Sequence, residues 1–418
     1  MLKPVVRSLI LKRFRSIPSE RIEFDNPTFL VGRNGSGKSN LVDAFSFLAD
    51  SMSVPLQAVF DRRGGIGAVR NRTSGQSYPP NLGLCVVFGS INSTTIGGRY
   101  AFEVRALKDY GFEVVREQCL LEDRGGKRSW FDRDNKRFRS NVKGLDPAVD
   151  TAALALPLVG GGARFAPAVS ALSRFRVYSI EPAKLREFQD PDGGVSLRTD
   201  GSNAASVLQE IYRKSPAQLD RICEILATIV PNTRAVRVKK RGNKLSLVFT
   251  QEWDDAIREK GWRVAERPVR ETPKSLKFEA FNMSDGTLRA LGLLTAVFQR
   301  PAPSLVAIEE PEATIHPGAL DALLDLIKHA SKSMQVVATT HSPDVLDAKW
   351  IQPEHLRIVE WGHGATRVGD ISQTSRKALQ KHVMGAGELL RSNALRAEPL
   401  FQEIQRDAEP NLFDRVDL

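Results

Sequence analysis

The sequence predicts an α/β fold of P-loop type, with a mixed sheet core, an antiparallel β lobe, and a helical and hairpin insertion. Three observations predict it. A glycine-rich segment, Gly32-Arg33-Asn34-Gly35-Ser36-Gly37-Lys38-Ser39, sits between an apolar strand and a helix. Strands of alternating or aromatic character fill the stretch from Leu82 to Phe138. Continuous apolar strands then alternate with helices between Gly286 and Thr339, as in a parallel sheet covered on both faces.

Each element follows from local pattern. Val5 to Phe14 is an amphipathic opening strand, Ile22 and Phe24 mark a second, and Thr28-Phe29-Leu30-Val31 runs into the glycine-rich loop. Leu41, Ala44, Phe45 and Leu48 recur at helical spacing, so one face of a helix is expected on the sheet, ending before Pro55. The segments LGLCVVFG, RYAFEVRAL, GFEVVREQCLL and SWFDRDNKRF, parted by Gly, Asn and Asp turns, form the antiparallel lobe. Leu145 to Ala168 is rich in Ala, Pro and Gly and reads as a connector or mobile loop. A helical pattern from Asn203 to Ile229 is closed by Pro231, and the charged hairpin VRVKKRGNKLSLVF follows. The last third places a helix over Gly286 to Phe298, a strand over Leu305 to Ile308, a helix over Gly318 to Lys328 and a strand over Gln335 to Thr339. The expected organisation is therefore an N-terminal half (1–180), an inserted lid or arm (181–270), a C-terminal half (271–372) and a tail (373–418).

Composition narrows the functional classes. With 418 residues, 41% hydrophobic and 26% charged, the chain can bury a large core and is expected to fold over most of its length. No apolar run approaches the roughly 18 residues of a membrane span, and the start lacks a signal peptide's apolar core, so a cytoplasmic protein with no membrane partner is expected. Cys85, Cys119 and Cys223 are scattered without a CxxC pair, which fits a reducing compartment and buried small hydrophobes. Sixty basic against 49 acidic residues give a formal charge of +11, which favours a polyanion such as DNA or RNA. The same figure also fits a soluble surface biased toward Lys and Arg.

The chemistry concentrates in four motifs. In the glycine-rich loop the glycines let backbone N–H groups wrap phosphates, Lys38 reaches the β and γ oxygens, and the Ser39 hydroxyl ligates magnesium. The nucleotide-binding set is Asn34, Gly35, Ser36, Gly37, Lys38, Ser39 and Asn40. The second motif, Leu305 to Glu310, is a buried strand ending in two acids, with Glu309 read as the magnesium-side carboxylate and Glu310 as the group that orients the attacking water. The third is Asn282-Met283-Ser284-Asp285-Gly286-Thr287, where Ser284 is either a plain N-cap or part of a helix N-terminus that binds the γ-phosphate of ATP held by a second subunit. The fourth is Thr339-Thr340-His341-Ser342-Pro343, where His341 is either structural or hydrogen-bonds the γ-phosphate or the attacking water. His316-Pro317 reads as part of a dimer-facing loop.

With these motifs in this order, and with FRSI, GRNGSGKSNLVDAFSFL, LRTDGSNAASVL, MSDGTLRALGLL, IEEPEATIHPGAL and TTHSPDVLD, the chain resembles the ABC-type ATPase heads of the SMC, RecF and OLD group. It is most similar to stand-alone OLD-like ATPases. The resemblance implies that Lys38 and Ser39 are Walker A residues, Ser284 to Thr287 the signature motif, Glu309 and Glu310 the Walker B pair, and His341 the switch histidine. Asp285 replaces the first glycine of the transporter signature, Glu309 replaces the commoner Walker B aspartate, and Gln57 is a poor match for the glutamine-loop residue. The 181–270 segment is too short and too poor in heptads for a coiled-coil arm. Asp407, Asp414 and Asp417 do not make the acidic clusters of a Toprim nuclease, so cleavage in cis is not expected.

The resemblance implies ATP and Mg2+ as cofactors and a homodimer closing on ATP. It also implies coupling to a DNA-related or anti-phage process through a separate effector, such as a nuclease. The alternatives are a RecF-like DNA-binding mediator and a scaffold that binds ATP with little turnover.

Overall fold

The computed structural model describes residues 5–71, 81–108, 111–135, 137–252, 275–381, 383–398 and 410–414. Residues 253–274, which hold the expected end of the insertion, lie outside them, as do Asp407 and Asp417. Two compact units are formed: Met1–Val177 with Ser304–Glu309 and His329–Leu418, and Tyr178–Pro303 with Glu310–Lys328. These boundaries differ from the four sequence segments, because the helix Asp285–Phe298 packs with the insertion's helices.

The first unit holds two sheets. One has seven strands, β1 (Val6–Phe14), β2 (Ile17–Glu23), β4 (Asn81–Phe88), β5 (Thr95–Ala106), β6 (Phe112–Asp123), β7 (Arg128–Asp134) and β8 (Phe138–Ser140), in the order β2-β1-β4-β5-β6-β7-β8. Its neighbours pair antiparallel throughout, as the alternating segments predict. The segment SWFDRDNKRF is broken at Asn135 into two strands.

The other sheet has the order β16-β15-β3-β14-β13-β9, from β3 (Thr28–Val31), β9 (Phe175–Tyr178), β13 (Leu305–Glu309), β14 (Gln335–Thr340), β15 (Leu356–Gly362) and β16 (Ala365–Gly369). Here β13, β14, β3 and β15 run parallel, and β16 closes the edge antiparallel.

The helix Lys38–Ser51 differs from the one-faced helix that the sequence predicts. Phe47 meets Phe14, Phe60 and Phe102, whereas Phe45 meets Phe24 and Phe175. Two residues on a helix lie about 200° apart, so these rings leave opposite sides of the cylinder. Phe14 and Phe102 belong to the seven-stranded sheet and Phe175 to the six-stranded one, so the helix fills the core between the two.

The Leu145 to Ala168 stretch also departs from its expected character. It carries the helix Leu156–Val159, and Leu154, Ala155, Leu156, Val159, Phe165 and Ala168 are buried in the main core. A buried carboxylate fixes it: Glu117 accepts hydrogen bonds from the N–H groups of Ala155 and Leu156 and from the Tyr100 hydroxyl. Arg133 lies 3.7 Å from Glu117 and donates to the carbonyls of Ala153 and Asp150. Ala155, Gly160 and Ala168 serve close packing here, while Gly161, Gly162 and Ala163 are exposed.

In the second unit the helical pattern of Asn203 to Ile229 is two helices, Ala204–Lys214 and Pro216–Ile229, parted at Ser215-Pro216. The charged hairpin is β10 (Thr233–Arg241) and β11 (Lys244–Glu252), and β12 (Ser275–Glu279) extends it to three strands. Among the described residues no helix is long and apolar enough to cross a membrane.

Candidate functional site

Parallel strands bring their carboxyl ends to one edge of a sheet, where ligands of open α/β folds bind. Val31 pairs with Thr340 and Ile358, and Glu309 with Thr339. The glycine-rich loop, the end of β13 and the residues following β14 therefore leave from the same edge.

The loop is built around an unspent set of donors. Gly35 and Gly37 take φ of 78° and 99°, the left-handed region that glycine enters without strain. Two loop bonds close it, Gly32 N–H to the Thr340 carbonyl at 3.2 Å and Ser36 N–H to the Arg33 carbonyl at 3.1 Å. Among the described residues, the N–H groups of Gly35, Gly37 and Ser39 donate to no protein acceptor. They stand at the start of the 14-residue helix, where the dipole favours an anion. The buried Lys38 ammonium donates to the Gly32 and Arg33 carbonyls at 2.7 and 3.0 Å, so it lies along the loop. Ser39 is exposed and its hydroxyl has no protein partner among the described residues. These features fit a polyphosphate with a hard cation.

A clamp that the sequence did not reveal holds the loop from behind. The Thr366 hydroxyl on β16 donates to the Ser36 carbonyl at 3.0 Å and lies 2.6 Å from the Ser16 hydroxyl. Asn40 Nδ2 donates to that same Ser16 oxygen at 2.6 Å, so the Asn40 side chain braces the helix start. A Cβ on Gly37 would lie 2.0 Å from Thr366 Oγ1, and one on Gly32 would lie 2.2 Å from the Val359 carbonyl. Gly32 and Gly37 are therefore needed for packing as well as for phosphate access, whereas Gly35 faces open space. Ser16 belongs to FRSI, the only sequence signal of this clamp.

The acidic pair sits at a sharp bend. Glu309 ends β13, and Glu310 has φ of 43°, an uncommon conformation for a non-glycine residue. The Arg289 guanidinium donates to the Glu310 carbonyl at 2.9 Å and to the Ile180 carbonyl at 3.1 Å. Both acids are half-buried. His341 follows β14 and is exposed. With Gly32, Arg33, Asn34 and Arg391 it lines a cavity of about 360 Å³.

In the second unit Ser284 caps the helix Asp285–Phe298, its oxygen accepting from Thr287 N–H at 3.2 Å. Asp285 is ion-paired to Arg186, which also donates to the Met283 carbonyl. A Cβ on Gly286 would lie 2.6 Å from the Thr314 carbonyl, so the chain after Glu310 packs directly on this helix start. Arg186 and Arg289 stand alone in the sequence, without a pattern that marks them. Gln57 is exposed and hydrogen-bonds Asp61 of its own helix, and His316 accepts from Gly318 N–H.

Comparison with known proteins adds three findings. The family described as "AAA domain, putative AbiEii toxin, Type IV TA system" matches residues 28–347. The DNA replication and repair protein RecF of Francisella tularensis subsp. novicida (strain U112) is 41% identical over 49 residues, 12% of this chain and 14% of that protein. The crystal structure of an Smc head bound to the C-winged helix domain of ScpA is similar with a TM-score of 0.53 and 16% identity, covering 90% of this chain and 100% of that one. A Pyrococcus furiosus Smc head with an extended coiled coil, bound to the C-terminal domain of ScpA, gives 0.51 and 13% over 91% and 99%. At these identities the structures show the fold alone, that of an Smc head domain.

Proposed function

This chain belongs to the AAA-domain family described as putative AbiEii toxin of type IV toxin–antitoxin systems, and from that premise we propose an ATP-binding, ATP-hydrolysing head that dimerises around nucleotide. The loop from Gly32 to Ser39 carries the reading, with its unspent N–H groups at a helix start and Lys38 along it. Asn34 to Ser39 would wrap the triphosphate and Lys38 would balance its charge. Ser39 and Glu309 would hold Mg2+, whose contribution when bound is to neutralise phosphate oxygens. Glu310 would orient the attacking water, and His341 would hydrogen-bond the water or the terminal phosphate. Ser284, Asp285 and Gly286 would meet the nucleotide held by a second copy of the chain.

The output would be delivered to DNA or to a separate effector such as a nuclease, in a DNA-related or anti-phage process. The toxin–antitoxin wording of the family's description supports a second protein. One observation favours direct DNA contact instead. Between Glu224 and Glu252 there are six basic residues and no acid, all six exposed on the β10–β11 hairpin, although Arg234, Arg237, Arg241 and Lys244 are ion-paired to Glu252, Asp220, Glu279 and Asp190. DNA binding that needs ATP and weakens steeply with salt would support this second reading.

Turnover measurements test the main proposal. Wild type should hydrolyse ATP, Lys38→Ala should lose binding, and Glu310→Gln should bind ATP while turning over about 10²-fold more slowly. A wild-type protein that neither binds nor hydrolyses ATP would overturn it.

A further inference from the structure

The stretch from 373 to 418, expected as a tail, supplies part of the wall around the phosphate loop. Leu390 and Asn393 line two cavities there: one of about 320 Å³ that reaches Gly32 and Ser36, and the one of about 360 Å³ that holds His341. The segment that carries them is fixed at both ends. At one end Ala397 bridges Ile371, and the Arg396 carbonyl accepts from Ser372 N–H at 3.0 Å.

At the other end the helix Ala386–Arg391 packs on the short helix Pro343–Leu346, which follows His341. A Cβ on Gly387 would lie 2.3 Å from both the Pro343 carbonyl and Asp347 Oδ1, so glycine is what lets the two come this close. Arg391 then forks across two acids of that turn. Its Nη2 donates to Asp344 Oδ1, and its Nη1 lies 2.8 Å from Asp347 Oδ2. All three side chains are about half-exposed, and ion pairs at such positions add little to stability. What a planar fork on two carboxylates does supply is a fixed geometry. Asp344 stands three residues after His341, and Arg391 lines the same cavity as that histidine.

Resting on the reading of His341 as the group that hydrogen-bonds the attacking water or the terminal phosphate, we propose that Arg391 is a positioning residue for ATP hydrolysis. Through Asp344 and Asp347 it holds the turn after β14, and so holds His341 beside the phosphate loop. The 386–398 segment is thereby a working wall of the nucleotide site rather than a tail.

The test measures kcat, the ATP dissociation constant and the melting temperature of full-chain variants. Arg391→Ala should lower kcat by about tenfold or more, since a displacement of about 1 Å can cost that much, with ATP affinity and melting close to wild type. Arg391→Lys keeps the charge without the fork and should recover only part of the rate. Asp344→Asn with Asp347→Asn, which leaves Arg391 in place, should repeat the Arg391→Ala loss. His341→Ala should lower kcat on its own, and adding Arg391→Ala to it should cost nothing more, because the arginine acts through the histidine. Losses that multiply in that combined variant would overturn the proposal. So would an unchanged kcat in Arg391→Ala, a loss confined to ATP affinity, or a fall in kcat that tracks unfolding in both the arginine and the aspartate variants. A wild type that hydrolyses no ATP, or a His341→Ala protein as active as wild type, would instead overturn the reading on which the proposal rests.

Discussion

Gly37 has φ of 99°, and Thr366 stands 2.0 Å from where its Cβ would be. Gly37→Ala therefore combines an unfavourable backbone with a clash, and it should abolish ATP binding in a calorimetric titration. Thr366→Val keeps the shape and removes the hydroxyl that serves the Ser36 carbonyl. Denaturant titration should show a loss of about 1–2 kcal/mol together with weaker ATP binding. Glu117 offers a pH test. Burial raises its pKa above 4.5, against the opposing pull of the Ala155 and Leu156 N–H groups. A raised folded-state value means that its stabilising contribution is complete below about pH 4.5 and is lost as pH rises through the folded value. Relative to Glu117→Gln, wild type should thus lose urea resistance on going from pH 4.5 toward neutrality. Parallel curves would contradict this. The three cysteines are buried, and burial pushes the Cys85 thiol up to about 12, so native protein should resist thiol reagents.

At the scale of elements, what the sequence made legible depended on whether the controlling interactions were local. The phosphate loop is written in eight consecutive residues, with a strand before and a helix after. The clamp on it joins Ser16 to Thr366, 350 positions away, and no local pattern records such a pair. The helix Lys38–Ser51 shows its apolar spacing in sequence, but the division of Phe45 and Phe47 between two sheets is a tertiary fact. Phe47→Ala should accordingly cost about 3–5 kcal/mol, the range for deleting a buried ring, and an exposed-helix cost of a few tenths would contradict the two-sheet placement. Burial of Leu154 to Ala168 is hidden from the sequence for the same reason. The small residues of this stretch look like loop composition, yet a distant carboxylate, Glu117, holds the backbone against the core.

For the molecule as a whole, fold and family are better anchored than output. The fold was readable from the order of the four motifs, and the family match and the likeness to Smc heads agree with that fold. Charge was less informative: of the six basic residues on the β10–β11 hairpin, Arg234, Arg237, Arg241 and Lys244 are ion-paired to acids, so +11 overall does not by itself mark a surface. Completion of the nucleotide site by a second copy requires that Lys38 and Ser284 of different subunits serve one ATP. Mixing Lys38→Ala with Ser284→Arg, each inactive alone, tests that requirement most directly under conditions that allow subunit exchange. Shared sites predict that the mixture regains ATPase activity, because the heterodimer rebuilds one site from two intact halves. No recovery would contradict the shared site.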